Sequence, residues 1–167
     1  MPAVGFGQSG VALFLACATS CASPPARSPG PGAAGLQVEA VDGGVINTAR
    51  YRGKPVVIHL FTTWSLAAQS DVAELQAVHK ELGDQVVIIG VALDPDGYRL
   101  VAPWRRANAL SYFIALASPE LMAGHTFLGR ITEVPTTVIL GRDGRVAYRL
   151  SRPLGQGELH QLLAGLR

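Results

Sequence analysis

The run Val56-Val57-Ile58-His59-Leu60-Phe61-Thr62-Thr63-Trp64-Ser65-Leu66-Ala67-Ala68 constrains this chain more than any other segment. Val56 to Phe61 is apolar on both faces apart from His59, as expected for a strand in the middle of a helix-covered sheet. Two threonines and a tryptophan break the strand. Ser65 then stands where a helix N-cap is needed, a role for which serine is among the best residues. The spacing predicts a helix over 65–82. Val72, Leu75, Val78 and Leu82 recur at helical intervals, and Asp71, Glu74, Lys80 and Glu81 are expected to face solvent. Such a strand-turn-helix unit aims the free N–H groups and partial positive charge of a helix start at whatever lies on the turn.

The rest of the chain repeats the alternation. Leu36–Val41, Asp42-Gly43-Gly44 and Val45-Ile46 read as a β-hairpin, and Tyr51–Pro55 leads into the central strand. Gly83-Asp84 ends the first helix and Gln85–Leu93 is a second buried strand. Asp94-Pro95-Asp96-Gly97 reads as a solvated turn; it lacks the ligand series and closing Glu of a calcium loop. A helix over 98–109 and a strand over Tyr112–Ala117 follow. Ser118 is an N-cap with Pro119 at the first helical position, opening a helix expected to run to about Leu128. Val134–Leu140 is a strand, Gly141-Arg142-Asp143-Gly144 a hairpin turn, Arg145–Leu150 the return strand and Glu158–Leu166 a closing helix. Strands alternating with helices predict an α/β fold with a central mixed sheet flanked by helices, preceded by an N-terminal hairpin.

At 167 residues, one folded domain is expected, over 36–167. A chain 49% hydrophobic and 16% charged is too apolar for disorder. A net charge of +2, with basic residues scattered singly apart from Arg105-Arg106, argues against a nucleic-acid partner. Both cysteines, Cys17 and Cys21, precede the domain. Residues 22–167 therefore hold no disulfide, no cysteine-based metal site and no thiolate for disulfide exchange. The dispersed His and acidic residues have no metal-ligand spacing, and the glycines form no phosphate loop; no metal or cofactor is expected.

Gly10–Ala16 is apolar, and too short for the roughly 20 residues that span a bilayer. Residues 1–16 read as a secretory signal peptide. Leu13-Phe14-Leu15-Ala16-Cys17 resembles the lipobox of bacterial lipoproteins, in which the cysteine carries the lipid; Cys21 is the alternative carrier. The segment departs from the pattern in having no Lys or Arg in residues 1–10. Cleavage to a soluble form and an uncleaved anchor are the alternatives. Residues 17–35, rich in Pro, Gly, Ala and Ser, then form a flexible linker.

Residues 36–167 resemble the thioredoxin-like superfamily, and within it the membrane-tethered, periplasm-facing proteins of the TlpA and ResA type. The resemblance is carried by Gly53-Lys54-Pro55, the strand, Trp64, the helix with Asp71 and Leu75, and Val134-Pro135-Thr136-Thr137 ahead of Asp143-Gly144. It implies a cis peptide before Pro135 and a peptide-docking groove formed by Trp64, Ser65, Leu66, Ala67, Val134, Pro135 and Thr136. It also implies catalytic cysteines at 65 and 68, where this chain has Ser65 and Ala68. Ala73 stands where a proline is common, and His59 where an Asn or similar polar residue is common. Peroxiredoxins share the fold, and that relation likewise lacks its nucleophile here.

Ser65 as a catalytic nucleophile would need a general base, and His59, His79, His125 and His160 are all distant from it in sequence; the N-cap is the expected role. His59 is expected to be a hydrogen-bonded core histidine. Trp64 is read either as part of the docking surface or as ordinary packing.

The resemblance implies an exported lipoprotein facing the periplasm, redox-inactive for want of both cysteines, docking a protein or peptide partner of the cell envelope. Two alternatives stand beside it. One is a member of the thiol-disulfide oxidoreductase or peroxiredoxin-like antioxidant class, working through a partner's cysteines. The other is a structural envelope lipoprotein.

Overall fold

The structure, a computed structural model, describes Met1 and residues 35–166. The expected signal peptide beyond Met1, both candidate lipid carriers Cys17 and Cys21, and the linker up to Ala34 lie outside the described residues.

The elements are β1 (Gln37–Ala40), β2 (Val45–Asn47), β3 (Val56–Phe61), α1 (Leu66–Leu82), β4 (Val87–Ala92), α2 (Tyr98–Ala107), β5 (Phe113–Leu116), α3 (Pro119–Met122), β6 (Thr136–Leu140), β7 (Val146–Leu150) and α4 (Glu158–Ala164). They build one mixed sheet in the order β2-β1-β5-β4-β3-β6-β7. β3 and β5 run parallel to β4, and the two flanking hairpins pair antiparallel. Every residue of β3 and β4 is buried, the consequence of continuous apolar runs with cover on both faces. On one face Val57, Phe61, Ile88 and Ile114 pack against Leu75 and Val78 of α1, Val101 of α2 and Leu159 and Leu163 of α4. On the other, Val56, Ile58, Leu60, Ile89 and Val138 pack with Leu36, Ile46, Leu121 and Leu128.

Gly90 pairs with His59 in the centre of the sheet. A β-carbon there would lie 2.8 Å from Ile114 Cδ1 and 3.2 Å from Phe61 Cε1, so the glycine makes room for the rings packed over it.

Three expectations are corrected. α3 stops at Met122, far short of Leu128. Gly124, at φ +77°, turns the chain into the left-handed region, and His125 N–H closes back on Glu120 O at 2.8 Å. Asp71 does not face solvent: it is 1% exposed and lies on the buried stripe of α1 with Leu75, Val78 and Leu82. Asp94 does not belong to a solvated turn: it is 7% exposed, and its carboxylate is used inside the protein.

Candidate functional site

The parallel strands β3, β4 and β5 end at one edge of the sheet, where open α/β sheets offer ligand sites. β3 runs out into Thr62–Ser65. The turn closes with Ser65 N–H donating to Thr62 O at 3.1 Å. Ser65 Oγ then accepts from Ala68 N–H at 3.3 Å, the N-cap of α1. Serine occupies this position because its short oxygen reaches an N–H that the helix leaves without a partner.

Asp94 fixes the turn from the neighbouring loop. Its carboxylate accepts the Thr63 N–H at 3.1 and 3.2 Å and the Thr63 hydroxyl at 2.5 Å. Leu93 N–H, next to it, donates to Phe61 O at 2.8 Å. The β3 and β4 exits are thereby locked together, and Trp64 and Leu66 are held out at 69% and 82% exposure. Ala67 is half-buried and Ala68 is buried.

β6 begins beside this turn. The register pairs Leu60 with Thr136, which sets Pro135 alongside Phe61 and Val134 alongside Thr62. The Val134–Pro135 bond is cis. Val134 is half-buried and Pro135 buried. Thr136 is 1% exposed and donates its hydroxyl to Glu133 O at 2.7 Å, so its side chain braces the loop from inside. The two segments read as groove-forming thus share one end of adjacent strands. Among the described residues no hydrogen bond joins Trp64–Ala67 to Val134–Thr136.

Behind the turn lies a buried polar pair. His59 Nδ1 is 3.0 Å from the Thr137 hydroxyl, which makes His59 a core histidine bonded across β3 and β6. Its Nε2 lies 3.8 Å from Asp71 Oδ2, too far for a hydrogen bond, and neither atom has a partner among the described residues. The other Asp71 oxygen accepts from Leu154 N–H at 2.9 Å. Burial lowers the His59 pKa to about 4. Burial raises that of Asp71 to about 6, against the opposing pull of the Leu154 N–H.

No histidine among the described residues bonds Ser65: His59 meets Thr137, and His160 meets Glu81. Among the described residues no side chain is hydrogen-bonded to Ser65 Oγ to act as its base, and that oxygen already accepts a backbone hydrogen bond. The site offers a shaped surface, an exposed indole and a helix start.

Sequence reasoning missed Asp71, Asp94 and Thr137. For Asp71 the signal was present. Positions 71, 75, 78 and 82 form a stripe of helical period, and the aspartate lies on it. Asp94 had none, because its partner Thr63 is brought near only by the pairing of β3 with β4.

This arrangement is a thioredoxin-like fold, and solved structures bear that out. The chain is similar to a thiol:disulfide interchange protein of the thioredoxin family from Chlorobium tepidum, at 21% identity over 84% of this chain and 99% of that one, with a TM-score of 0.71. It is similar to a DsbF homologue from Corynebacterium diphtheriae at 23% identity, covering 81% and 86%, with a TM-score of 0.73. An exposed lipoprotein thioredoxin from Streptococcus pneumoniae matches at 17% identity, covering 80% and 100%, with a TM-score of 0.63. At these identities the likeness is one of fold. The chain belongs to the AhpC/TSA family, whose model matches residues 29–149. No curated protein matches it in sequence.

Proposed function

We propose that this protein is a TlpA-type thioredoxin-like lipoprotein of the bacterial envelope, carried on Cys17 or Cys21, that exchanges no disulfides and docks an extended segment of a protein partner. The observation that carries the reading is the state of the turn. At the N-terminus of α1 stands a capping Ser65 instead of a thiolate, while Trp64 and Leu66 are held out into solvent beside the Val134–Pro135 loop. A docked strand would gain backbone hydrogen bonds and set an apolar side chain on the indole. Export is supported by the character of residues 10–17 and by the exposed lipoprotein thioredoxin among similar folds.

Ser65→Cys in the full chain, compared with the native chain so that capture through Cys17 or Cys21 is subtracted, tests this. With no cysteine at 68 to resolve it, a mixed disulfide with a docked client should persist. A defined partner held by the Ser65→Cys chain and lost on adding Trp64→Ala supports docking. Capture unaffected by Trp64→Ala refutes it.

A second reading draws on membership of the AhpC/TSA family. The domain would take part in thiol chemistry through a partner's cysteines. Peroxide or disulfide turnover by the mixture of chain and partner, absent from each alone, distinguishes it.

A further inference from the structure

At the end of the sheet opposite the Thr62–Ser65 turn, two cavities of about 240 Å³ each open side by side. They share a wall of Lys54, Asp84 and Val86. One is lined by rings. Tyr51 and Phe113 stand with centroids 6.3 Å apart, and His79 meets Tyr112 edge-on, also at 6.3 Å. The other carries Arg142, whose carbonyl accepts the Gly53 N–H at 2.8 Å and so holds the β6–β7 turn against the approach to β3. Each falls below the roughly 300–1,000 Å³ of sites for drug-sized ligands, which leaves room for a single-ring molecule.

One polar group of the ring-lined cavity is unused. Tyr112 is largely buried, yet its hydroxyl makes no hydrogen bond among the described residues and is not sealed from solvent. Burial raises the Tyr112 pKa, with the Asp71 charge adding to it, so the hydroxyl stays a donor. A ligand that supplies it with an acceptor exchanges a hydrogen bond to water for one inside the cavity. The charged lining is Lys54 and Arg142 against the one carboxylate of Asp84.

We propose that this cleft binds a small aromatic carboxylate, its ring among Tyr51, His79, Tyr112 and Phe113 and its acid against Lys54 and Arg142. A para-hydroxyl on the ring gives the Tyr112 hydroxyl an acceptor. Asp84 discriminates against ligands that carry more than one negative charge. The site is separate from the docking surface and stands or falls without it.

The test is an NMR titration of the isotope-labelled full chain with para-hydroxyphenylacetate, with tyramine and para-cresol as ligands of the same ring bearing a cation or no charge. Saturable amide shifts confined to Lys54, Gly83–Val87 and Ser111–Phe113 are expected. The acid should bind about fivefold more tightly than para-cresol, as one partly exposed ion pair allows. Lys54→Gln with Arg142→Gln should abolish that preference. Shifts that scatter over the surface or fail to saturate overturn the proposal. So does tyramine binding as well as the acid, an outcome that depends on no variant's folding.

Discussion

The turn at Thr62–Ala68 and the core behind it handle polar groups differently. In the turn, Ser65 caps Ala68 and Asp94 takes both donors of Thr63; Thr62 Oγ1 is the exception, buried without a partner. In the core, His59 and Asp71 each satisfy one atom and leave the other facing its neighbour at 3.8 Å with no bond. In the turn Asp94 is buried as well, but its carboxylate is paired with both donors of Thr63, so it costs little to keep. In the core the alternative is desolvation without compensation. The polar chemistry that costs this fold most therefore lies behind the site, between β3 and α1.

The sharpest way to expose that cost is pH. Asp71 has its pKa raised from 3.8 to about 6, so the folded state binds the extra proton. Its contribution is fully present below 3.8 and lost as pH rises through about 6. His59 has its pKa lowered from 6.5 to about 4, so the unfolded state binds the extra proton. Its contribution is present above 6.5 and lost as pH falls through about 4. Near pH 5 the folded pair holds one proton, on Asp71, and the unfolded chain also holds one, on its histidine. The slopes cancel, and the native protein should be nearly insensitive to pH between about 4 and 6. Each single variant uncovers one slope. His59→Asn should gain stability as pH falls, and Asp71→Asn should lose it, each by about 3 kcal/mol at roughly 1.4 kcal/mol per unit. At pH 8, Asp71→Asn removes a buried charge and should unfold at higher urea than the native chain. Urea midpoints across this range decide the matter. A native profile as steep as either variant would mean that the proton sits elsewhere.

Asp94 tests the other side of the comparison. Asp94→Ala leaves the Thr63 N–H without its acceptor and should cost about 2 kcal/mol, with Asp94→Asn about half of that. The readout is the unfolding midpoint together with Trp64 fluorescence anisotropy in a Trp104→Phe background, since the chain has two tryptophans, and the anisotropy should fall as the turn loosens. Unchanged anisotropy would show that the strand exits hold Trp64 without Asp94.

How much of this was legible in the sequence follows the same division. The β3 run, the Ser65 and Ser118 caps and the Gly141–Gly144 hairpin are local patterns, and each stands where the sequence analysis set it; the cis bond at Pro135 was implied by the family resemblance alone, and it is present. Asp71 was misread because acidic residues on helices usually face water, although its stripe placed it inside. Asp94 and Thr137 were not readable at all, since each acts on a residue brought close only by strand pairing. The early end of α3 depends on Gly124, a stop that the apolar pattern through Leu128 masks.

The smaller effects lie on the turn itself, and they separate shape from stability. Ser65→Ala removes the cap on α1 and should cost about 1 kcal/mol in thermal unfolding. Trp64→Ala removes a side chain that is mostly in water and should change stability by no more than about 0.5 kcal/mol. If the turn serves docking, Trp64→Ala should nonetheless abolish partner capture while Ser65→Ala, which leaves the indole in place, preserves it. Equal loss of capture in both would tie binding to the integrity of the helix start. A stability loss of more than about 1 kcal/mol for Trp64→Ala would show that the indole packs in solution. It would then belong with the core behind the turn and not with the surface in front of it.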